Sequence, residues 1–285
     1  MEFGISTQIH RSQRVTVDLL ESIRTAGYDR IELFCNRPHL DFHDRSLLRS
    51  IARWFDENAL PPPSIHLPFV ENIGPTQRLW ISVLENERRH REYALDEIKR
   101  SLELADMLRL SYAVLHLGNP KDQFHPVAFE HAYAAISQIR AFAGVDVAIE
   151  NIPNEISTLD RIEEFKRISQ LSEIGICYDT GHAHLQGGHV SLNGIRTTHV
   201  HDNDGHKDEH LWPFDGTLDW PALVDGLFVS GYKGPLIFEA RGEDLRKGAE
   251  VRSRLQDLWD EAEDSIEEYR LRHNIKPQNE PQNDV

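Results

Sequence analysis

Eight short apolar runs, each followed by a longer segment of mixed polarity, limit what this chain can fold into more than any other feature. The runs are residues 3–7, 30–35, 64–69, 112–118, 146–151, 174–179, 197–202 and 235–240. Most are rich in β-branched or aromatic side chains, as parallel strands buried on both faces should be. Between them apolar residues recur at helical spacing. Residues 15–26 place Val15, Leu19, Leu20 and Ile23 on one face before Gly27, and residues 158–170 do the same with Leu159, Ile162, Phe165 and Ile168. Further helices are expected at 46–58, stopped by Pro61-Pro62-Pro63, and at 78–110 as one long helix or a pair. Others are expected at 126–142 before Gly144, at 218–229 and at 243–271. The connection 187–194 is short. Eight strand–helix units in 285 residues suit an α/β fold of one kind, a single (β/α)8 TIM barrel. An open doubly wound sheet uses the same alternation, but no Gly-x-Gly-x-x-Gly turn follows the first strand. The barrel is expected to occupy residues 1–272. The polar, Pro/Asn/Gln-rich residues 273–285 read as a flexible tail.

Charge and cysteine usage exclude several classes. The chain has 47 acidic and 31 basic residues, a formal charge of −16. That disfavours a general basic field for nucleic acid or anionic membrane, though bound metals can reverse the sign locally. Two cysteines rule out a disulfide scaffold and a four-thiolate zinc site. The opening MEFGISTQIHRSQRV has no apolar core like that of a signal peptide, and no apolar run approaches a membrane span, so a cytoplasmic protein is expected. The 16 histidines are about twice ordinary usage.

The positions of those histidines matter more than their number. Six consecutive expected strands end in imidazole or carboxylate: His66, His116, Glu150, Asp179 with His182, His199 with His201, and Glu239. Such groups at the ends of buried strands are costly unless paired or ligated. In a barrel they converge on the C-terminal mouth, where such folds place their chemistry. Imidazole plus carboxylate without thiolate suits Zn or Mn, with Fe or Co also compatible. Asp208 and His210, two apart in the next loop, can turn toward the same ion. His199 and His201 point to the same side of a strand, and His201 lies nearer the mouth.

These stretches resemble the xylose isomerase-like barrel superfamily, which holds sugar isomerases, sugar epimerases and endonuclease IV enzymes. The resemblance spans nearly the whole chain. It is carried by His66-Leu67-Pro68-Phe69-Val70-Glu71-Asn72-Ile73-Gly74, by His116-Leu117-Gly118, by Asp179-Thr180-Gly181-His182 and by Asp208-x-His210. Gly4-Ile5-Ser6-Thr7 and Ile31-Glu32-Leu33-Phe34 look more like proteins called sugar phosphate isomerase/epimerase. The endonuclease IV pattern implies three metal positions. One uses His66, His116 and Glu150; a second shares Glu150 and adds Asp179, His201 and Glu239; a third uses His182, Asp208 and His210. The epimerase pattern implies one ion on Glu150, Asp179, His201 and Glu239. The family often has Gly-Glu-Gly before a Trp. Here the corresponding stretch is Phe214-Asp215-Gly216, then Asp219-Trp220.

The resemblance therefore implies one to three ions and two chemistries. An isomerase or epimerase would act on a sugar or sugar phosphate through an enediolate, with Glu150 and Glu239 moving the proton. A multinuclear zinc phosphodiesterase of the AP endonuclease kind is the alternative, and a non-catalytic metal-binding barrel a further one. DNA repair also needs loops that penetrate a duplex, and the acidic neighbours Asp41, Asp44 and Glu71 weigh against it. Trp212 and Phe69 are candidate walls of a sugar pocket. Arg241 is a candidate for holding a phosphate or carboxylate, and His10 for reaching substrate from the rim. An oligomer is compatible with the resemblance.

Overall fold

The structure is a computed structural model that describes residues 1–72, 77–120, 122–187, 194–242 and 244–273, with side chains described to residue 265. Ile73 and Gly74, most of the connection 187–194, and tail residues 274–285 lie outside the described residues.

Eight parallel strands close into a barrel. In ring order they are β1 (Phe3–Ser6), β2 (Arg30–Phe34), β3 (Ser64–His66), β6 (Ala113–His116), β7 (Val147–Glu150), β8 (Gly175–Asp179), β9 (Ile195–Val200) and β10 (Leu236–Phe238), which returns to β1. Two further strands, β4 (Val70–Asn72) and β5 (Arg78–Trp80), form an antiparallel hairpin beside the end of β3. The barrel expectation holds, and the eight apolar runs match the eight barrel strands.

The helices wrap the outside, and their ends are set locally. In α1 (Val17–Thr25), Thr16 accepts the amide of Leu19; in α2 (Arg45–Glu57), Asp44 accepts those of Ser46 and Leu47. Thr158 caps α5 (Leu159–Ser169), and Asp219 caps α7 (Trp220–Val229), which has Pro221 in its first turn. Each cap satisfies an amide that the helix leaves unpaired. α4 (Val127–Ala143) stops at Gly144, whose φ of 61° is readily adopted only without a side chain. α8 (Leu245–His273) ends the described chain. No described helix is long and apolar enough to cross a membrane.

One sequence expectation needs correction. Residues 78–110 are not one long helix or a pair of α-helices. Arg78–Trp80 is a strand, and only α3 (Arg88–Leu102) is α-helical, followed by a 3-10 turn over Glu103–Asp106. The amide of Ile81 donates to the carbonyl of Phe69, which closes the hairpin. Backbone pairing with residues 70–72 overrides the helical propensity of a segment too short to nucleate alone. A second short helix, α6 (Thr180–Leu185), begins directly at the end of β8.

The main core lies between the strands and the helices, built from residues such as Leu20, Ile51, Phe55, Ile136 and Phe165. Inside the barrel there is a separate small cluster of Tyr112, Val114, Ala148 and Cys177. It sits one strand repeat below the polar ends of β6, β7 and β8.

Candidate active site

Pleating and register bring the polar strand ends together. Residues two apart on a strand share a face. Val114 is therefore followed by His116, Ala148 by Glu150 and Cys177 by Asp179. Register then places His116 beside Glu150 and Asp179 beside His199 on neighbouring strands. β10 aligns Ile237 with His199, so Glu239 emerges one pleat higher.

Glu150 is the centre of this cluster. Its Oε2 lies 3.2 Å from His66 Nε2, 3.0 Å from His116 Nε2 and 3.2 Å from His199 Nδ1, and its Oε1 lies 3.3 Å from His182 Nδ1. Glu239 Oε2 approaches the same His199 Nδ1 at 3.1 Å. His199 Nε2 lies 2.9 Å from Glu32 Oε1, while the other oxygen of Glu32 accepts the hydroxyl of Ser64 at 3.0 Å. His201 Nε2 is 2.9 Å from Asp179 Oδ1. Asp208 Oδ2 lies 3.3 Å from His210 Nε2 and 3.7 Å from His182 Nε2.

The surrounding backbone fixes which nitrogens face inward. Nδ1 of His66, His182 and His210 donates to the carbonyls of Leu67, Asn151 and Glu239 at 2.9, 2.9 and 2.7 Å. A carbonyl only accepts, so these rings donate from Nδ1 and turn Nε2 toward the site. Asn151 accepts the amide of Asp179 and donates to its carbonyl, holding the end of β8. Asp179 also caps α6 by accepting the amide of His182 at 2.7 Å. One carboxylate thus shapes the turn that aims the next donor. Gly181 is required here, because a Cβ at that position would lie 2.0 Å from Cε1 of His201.

The loop after β9 has its own anchor. Asp202 and Leu211 exchange two backbone hydrogen bonds of 2.8 Å. The fully buried Asp202 carboxylate accepts the amides of Asn203, Phe214 and Leu218 and the indole N–H of Trp220. Phe214 has a φ of 72°, in the left-handed region. The cost, about 1–2 kcal/mol, is offset by the bond to Asp202 and by Arg254, whose guanidinium lies 3.7 Å over the Phe214 ring.

The electrostatics are those of mutually neutralising groups. Burial opposes ionisation of Glu239, but the charge of His199 overrides it and brings the carboxyl down to about 2. Burial is likewise overridden at Glu150, held well below the usual range by His116 and His199, and at Asp208, lowered by His182 and His210. The imidazoles of His182 and His199 are raised well above normal by facing carboxylates and, at His199, by Cys177, against the effect of burial. His66 and His210 are raised in the same way. At His116 burial wins, and its pKa falls.

A cavity of about 520 Å³ opens above this cluster. Phe69, Pro120, Ile152, Pro153 and Leu185 form an apolar wall; the carboxylates and imidazoles form the floor. The Phe69 ring stacks on His116 with centroids 4.4 Å apart. The other sequence candidates lie elsewhere. Trp212 is buried against Phe238 in the main core and does not line the cavity, because the Asp202–Leu211 bridge turns it inward. His10 is buried off the cavity wall, and Arg241 is exposed at the rim. Sequence reasoning gave no role to Glu32, Asn151, Gln8 or Lys207, and preferred His201 to His199. A glutamate flanked by apolar strand residues, Ile31-Glu32-Leu33, was the available signal.

The donor set fits divalent metal. Glu150, Asp179, His199 and Glu239 offer four buried donor atoms within 4.8 Å of one another; so do His182, His201, Asp208 and His210, with Asp208 part-buried. His66, His116 and Glu150 form a third group. Both ring nitrogens of His199 lack an aligned hydrogen bond despite the close carboxylates. Nitrogen and oxygen donors converging in this way match zinc, manganese, iron or cobalt.

The comparisons with known proteins agree on the fold. A family model described as xylose isomerase-like TIM barrel matches residues 20–269. The uncharacterized protein y4fM of Sinorhizobium fredii is 34% identical over 168 residues, a match covering 52% of this chain and 53% of that protein, so the aligned region spans about half of each. Among solved structures, a D-tagatose 3-epimerase-like protein superposes with a TM-score of 0.74 at 21% identity, over 92% of this chain and 99% of the other. IolI with a bound zinc atom superposes with a TM-score of 0.70 at 16% identity, over 92% and 99%.

Proposed function

The chain belongs to the xylose isomerase-like TIM barrel family, and from that premise we propose that it is a divalent-metal-dependent sugar isomerase or epimerase. The observation that carries this reading is the pair Glu150 and Glu239. Two carboxylates from different strands meet at one imidazole nitrogen, 3.2 and 3.1 Å away, on the floor of a sugar-sized cavity. A likeness to a D-tagatose 3-epimerase-like protein and to zinc-bound IolI points the same way.

Glu150, Asp179 and Glu239 would hold the metal with an imidazole of the His199–His201 pair. When bound, a divalent cation supplies the positive charge that acidifies a C–H beside a carbonyl. The chain's own groups do the rest. Glu239 lines the cavity, where its carboxylate is placed to accept a proton from carbon. Glu150, also held ionised, is placed to receive or return a proton from a second direction. Phe69 and the prolines beside it exclude water and offer an apolar face to the sugar ring. His182 and His210, oriented by carbonyls, are placed to bond hydroxyls.

The test is solvent deuterium exchange into a panel of ketoses and their phosphates, followed by proton NMR. Exchange at the carbon next to the carbonyl is expected. Glu239→Gln should abolish it, by at least about 10³-fold, with unchanged circular dichroism. Full exchange by that variant overturns the assignment.

The donor group of His182, His201, Asp208 and His210 favours a second reading, a multinuclear phosphodiesterase. Metal per chain separates the two. One ion, retained with partial turnover when His182, Asp208 and His210 are all replaced by alanine, supports the isomerase reading. Two or three zinc ions, with nearly all activity toward phosphodiesters lost in that variant, support the hydrolase.

A further inference from the structure

Glu32 is a buried carboxylate inside the barrel that the proposed proton transfer does not use. Ile31 and Leu33 on either side of it belong to the main core outside the strands, so the alternation of β2 turns Glu32 inward. Glu32, His199 and Ser64 are all buried. In the ring, β1 and β10 separate β2 from β9, yet Glu32 Oε1 lies 2.9 Å from Nε2 of His199 on β9. Its Oε2 accepts the hydroxyl of Ser64, its register partner on β3, at 3.0 Å. A carboxylate taken this far from water is costly unless something there requires it.

His199 is held in the opposite sense to its neighbours. His66, His182 and His210 are backed at Nδ1 by neutral backbone carbonyls and turn Nε2 toward the site. His199 is backed at Nε2 by a carboxylate and turns Nδ1 toward Glu239 and Glu150, at 3.1 and 3.2 Å. Both of its ring nitrogens, and Oε1 of Glu32, are buried without an aligned hydrogen bond. Three carboxylates thus stand within 3.2 Å of one ring. A single imidazolium offsets one of them, and a divalent ion among them offsets the remainder. His201 is placed differently. Its Nε2 bonds Asp179 at 3.0 Å, and its ring stacks on His210 with centroids 4.0 Å apart. Its donor atoms group with those of His182, Asp208 and His210, whereas those of His199 group with Glu150, Asp179 and Glu239.

Resting on the metal-dependent isomerase reading of the same site, we propose that Glu32 is a positioning residue. It holds Nε2 of His199, so that Nδ1 of His199, and not a nitrogen of His201, joins Glu150, Asp179 and Glu239 as a donor to the ion. A histidine that binds an ion through one nitrogen gives its other N–H to an acceptor, which fixes the ring and makes the free nitrogen a better donor. A carboxylate does this more strongly than a carbonyl, because the interaction is charge-assisted. Ser64 in turn holds the second oxygen of Glu32, so the support runs from β3 through β2 to β9. Glu32 does not line the cavity, and it acts only through the ring in front of it.

The experiment is competition for zinc between the full-length protein, stripped and titrated back, and a chromophoric chelator, read at the tightest bound equivalent. Glu32→Leu should weaken zinc binding by about 10- to 100-fold. Glu32→Gln keeps an acceptor for the ring and should recover part of that loss, and Ser64→Ala should lose only several-fold. Circular dichroism and melting of each metal-free variant report the fold separately. His199→Ala should weaken zinc more than His201→Ala does. Adding Glu32→Leu to His199→Ala should lose nothing more, since the ring through which Glu32 acts is already gone. Unchanged affinity in Glu32→Leu overturns the proposal. So does a loss that adds in full to that of His199→Ala, or a greater loss in His201→Ala than in His199→Ala. Should Glu32→Leu fail to fold, unchanged affinity in both Glu32→Gln and Ser64→Ala overturns it instead. Zinc binding that depends on Glu32, without deuterium exchange on any ketose, keeps this assignment and removes the isomerase reading. Exchange on a ketose with zinc affinity indifferent to Glu32 does the reverse.

Discussion

Along β6, β7 and β8 the inside of this barrel has two layers that differ in chemistry although only two residues separate them. The lower layer, Tyr112, Val114, Ala148 and Cys177, is small, apolar and buried. The upper layer, His116, Glu150, Asp179, His199 and Glu239, holds titratable groups equally removed from water, His116 alone being slightly exposed. The difference teaches that burial alone does not decide what a site tolerates. The upper layer persists because each charge faces an opposite one within about 3 Å. Tyr112 bridges the two styles, its hydroxyl paired with Thr197 at 2.8 Å and its pKa raised to about 12 by burial, and Cys177 does so by lying against Glu150 and His199.

The sharpest way to break this comparison is to put an upper-layer charge in the lower layer. Ala148→Asp, with only Val114 and Gly175 beside it in register, should prevent folding, a cost of several kcal/mol, read as loss of soluble protein or of a cooperative melt. An aspartate two residues higher, in Glu150→Asp, keeps a carboxylate among the imidazoles and should leave a folded barrel. If both fold equally well, the two layers are not distinct.

A milder test uses pH on chelator-treated protein. His66, His182, His199 and His210 have folded pKa values above 6.5, so their contribution is complete below 6.5 and is lost as pH rises through the raised values. Glu150, Glu239 and Asp208 have folded values below 4.5 or 3.8, so theirs is present above those values and is lost as pH falls toward the lowered ones. Metal-free protein should therefore melt highest between about pH 4.5 and 6.5. Added zinc or manganese should stabilise it increasingly above that window, because ligation needs neutral imidazole. A melting temperature flat from pH 4 to 8 would contradict the neutralisation argument.

The smallest expected effect is in the lower layer itself. Cys177→Ala removes a buried sulfur that lies against Glu150 and His199 and should cost about 1–2 kcal/mol, with metal content unchanged. Loss of metal in that variant would mean that the lower layer takes part in the site.

Much of this was legible before any coordinates. The strands announced themselves as β-branched runs, and the polar ends of six of them as one mouth. What was not legible depended on depth and on distant pairing. His199 and His201 share a face, and nothing local says that His199 descends to Glu32 while His201 reaches Asp179. Trp212 reads as a pocket wall until the Asp202–Leu211 bridge turns it toward Phe238. The β4–β5 hairpin is three residues on each side, and its pairing overrides a helical reading that was reasonable locally.

The Asp202–Leu211 clasp has a consequence for how such proteins diversify. It closes the stretch that bears Lys207, Asp208 and His210 at its base, and the Asp202 carboxylate fastens the chain beyond it. The stretch between is also tied to the barrel by its contents, since His210 donates to the carbonyl of Glu239 and Asp208 faces His182. Exchanging its donors changes what faces the cavity, while the clasp that joins its ends stays in place. One scaffold can in this way acquire new reactions by editing a loop while inheriting its floor unchanged.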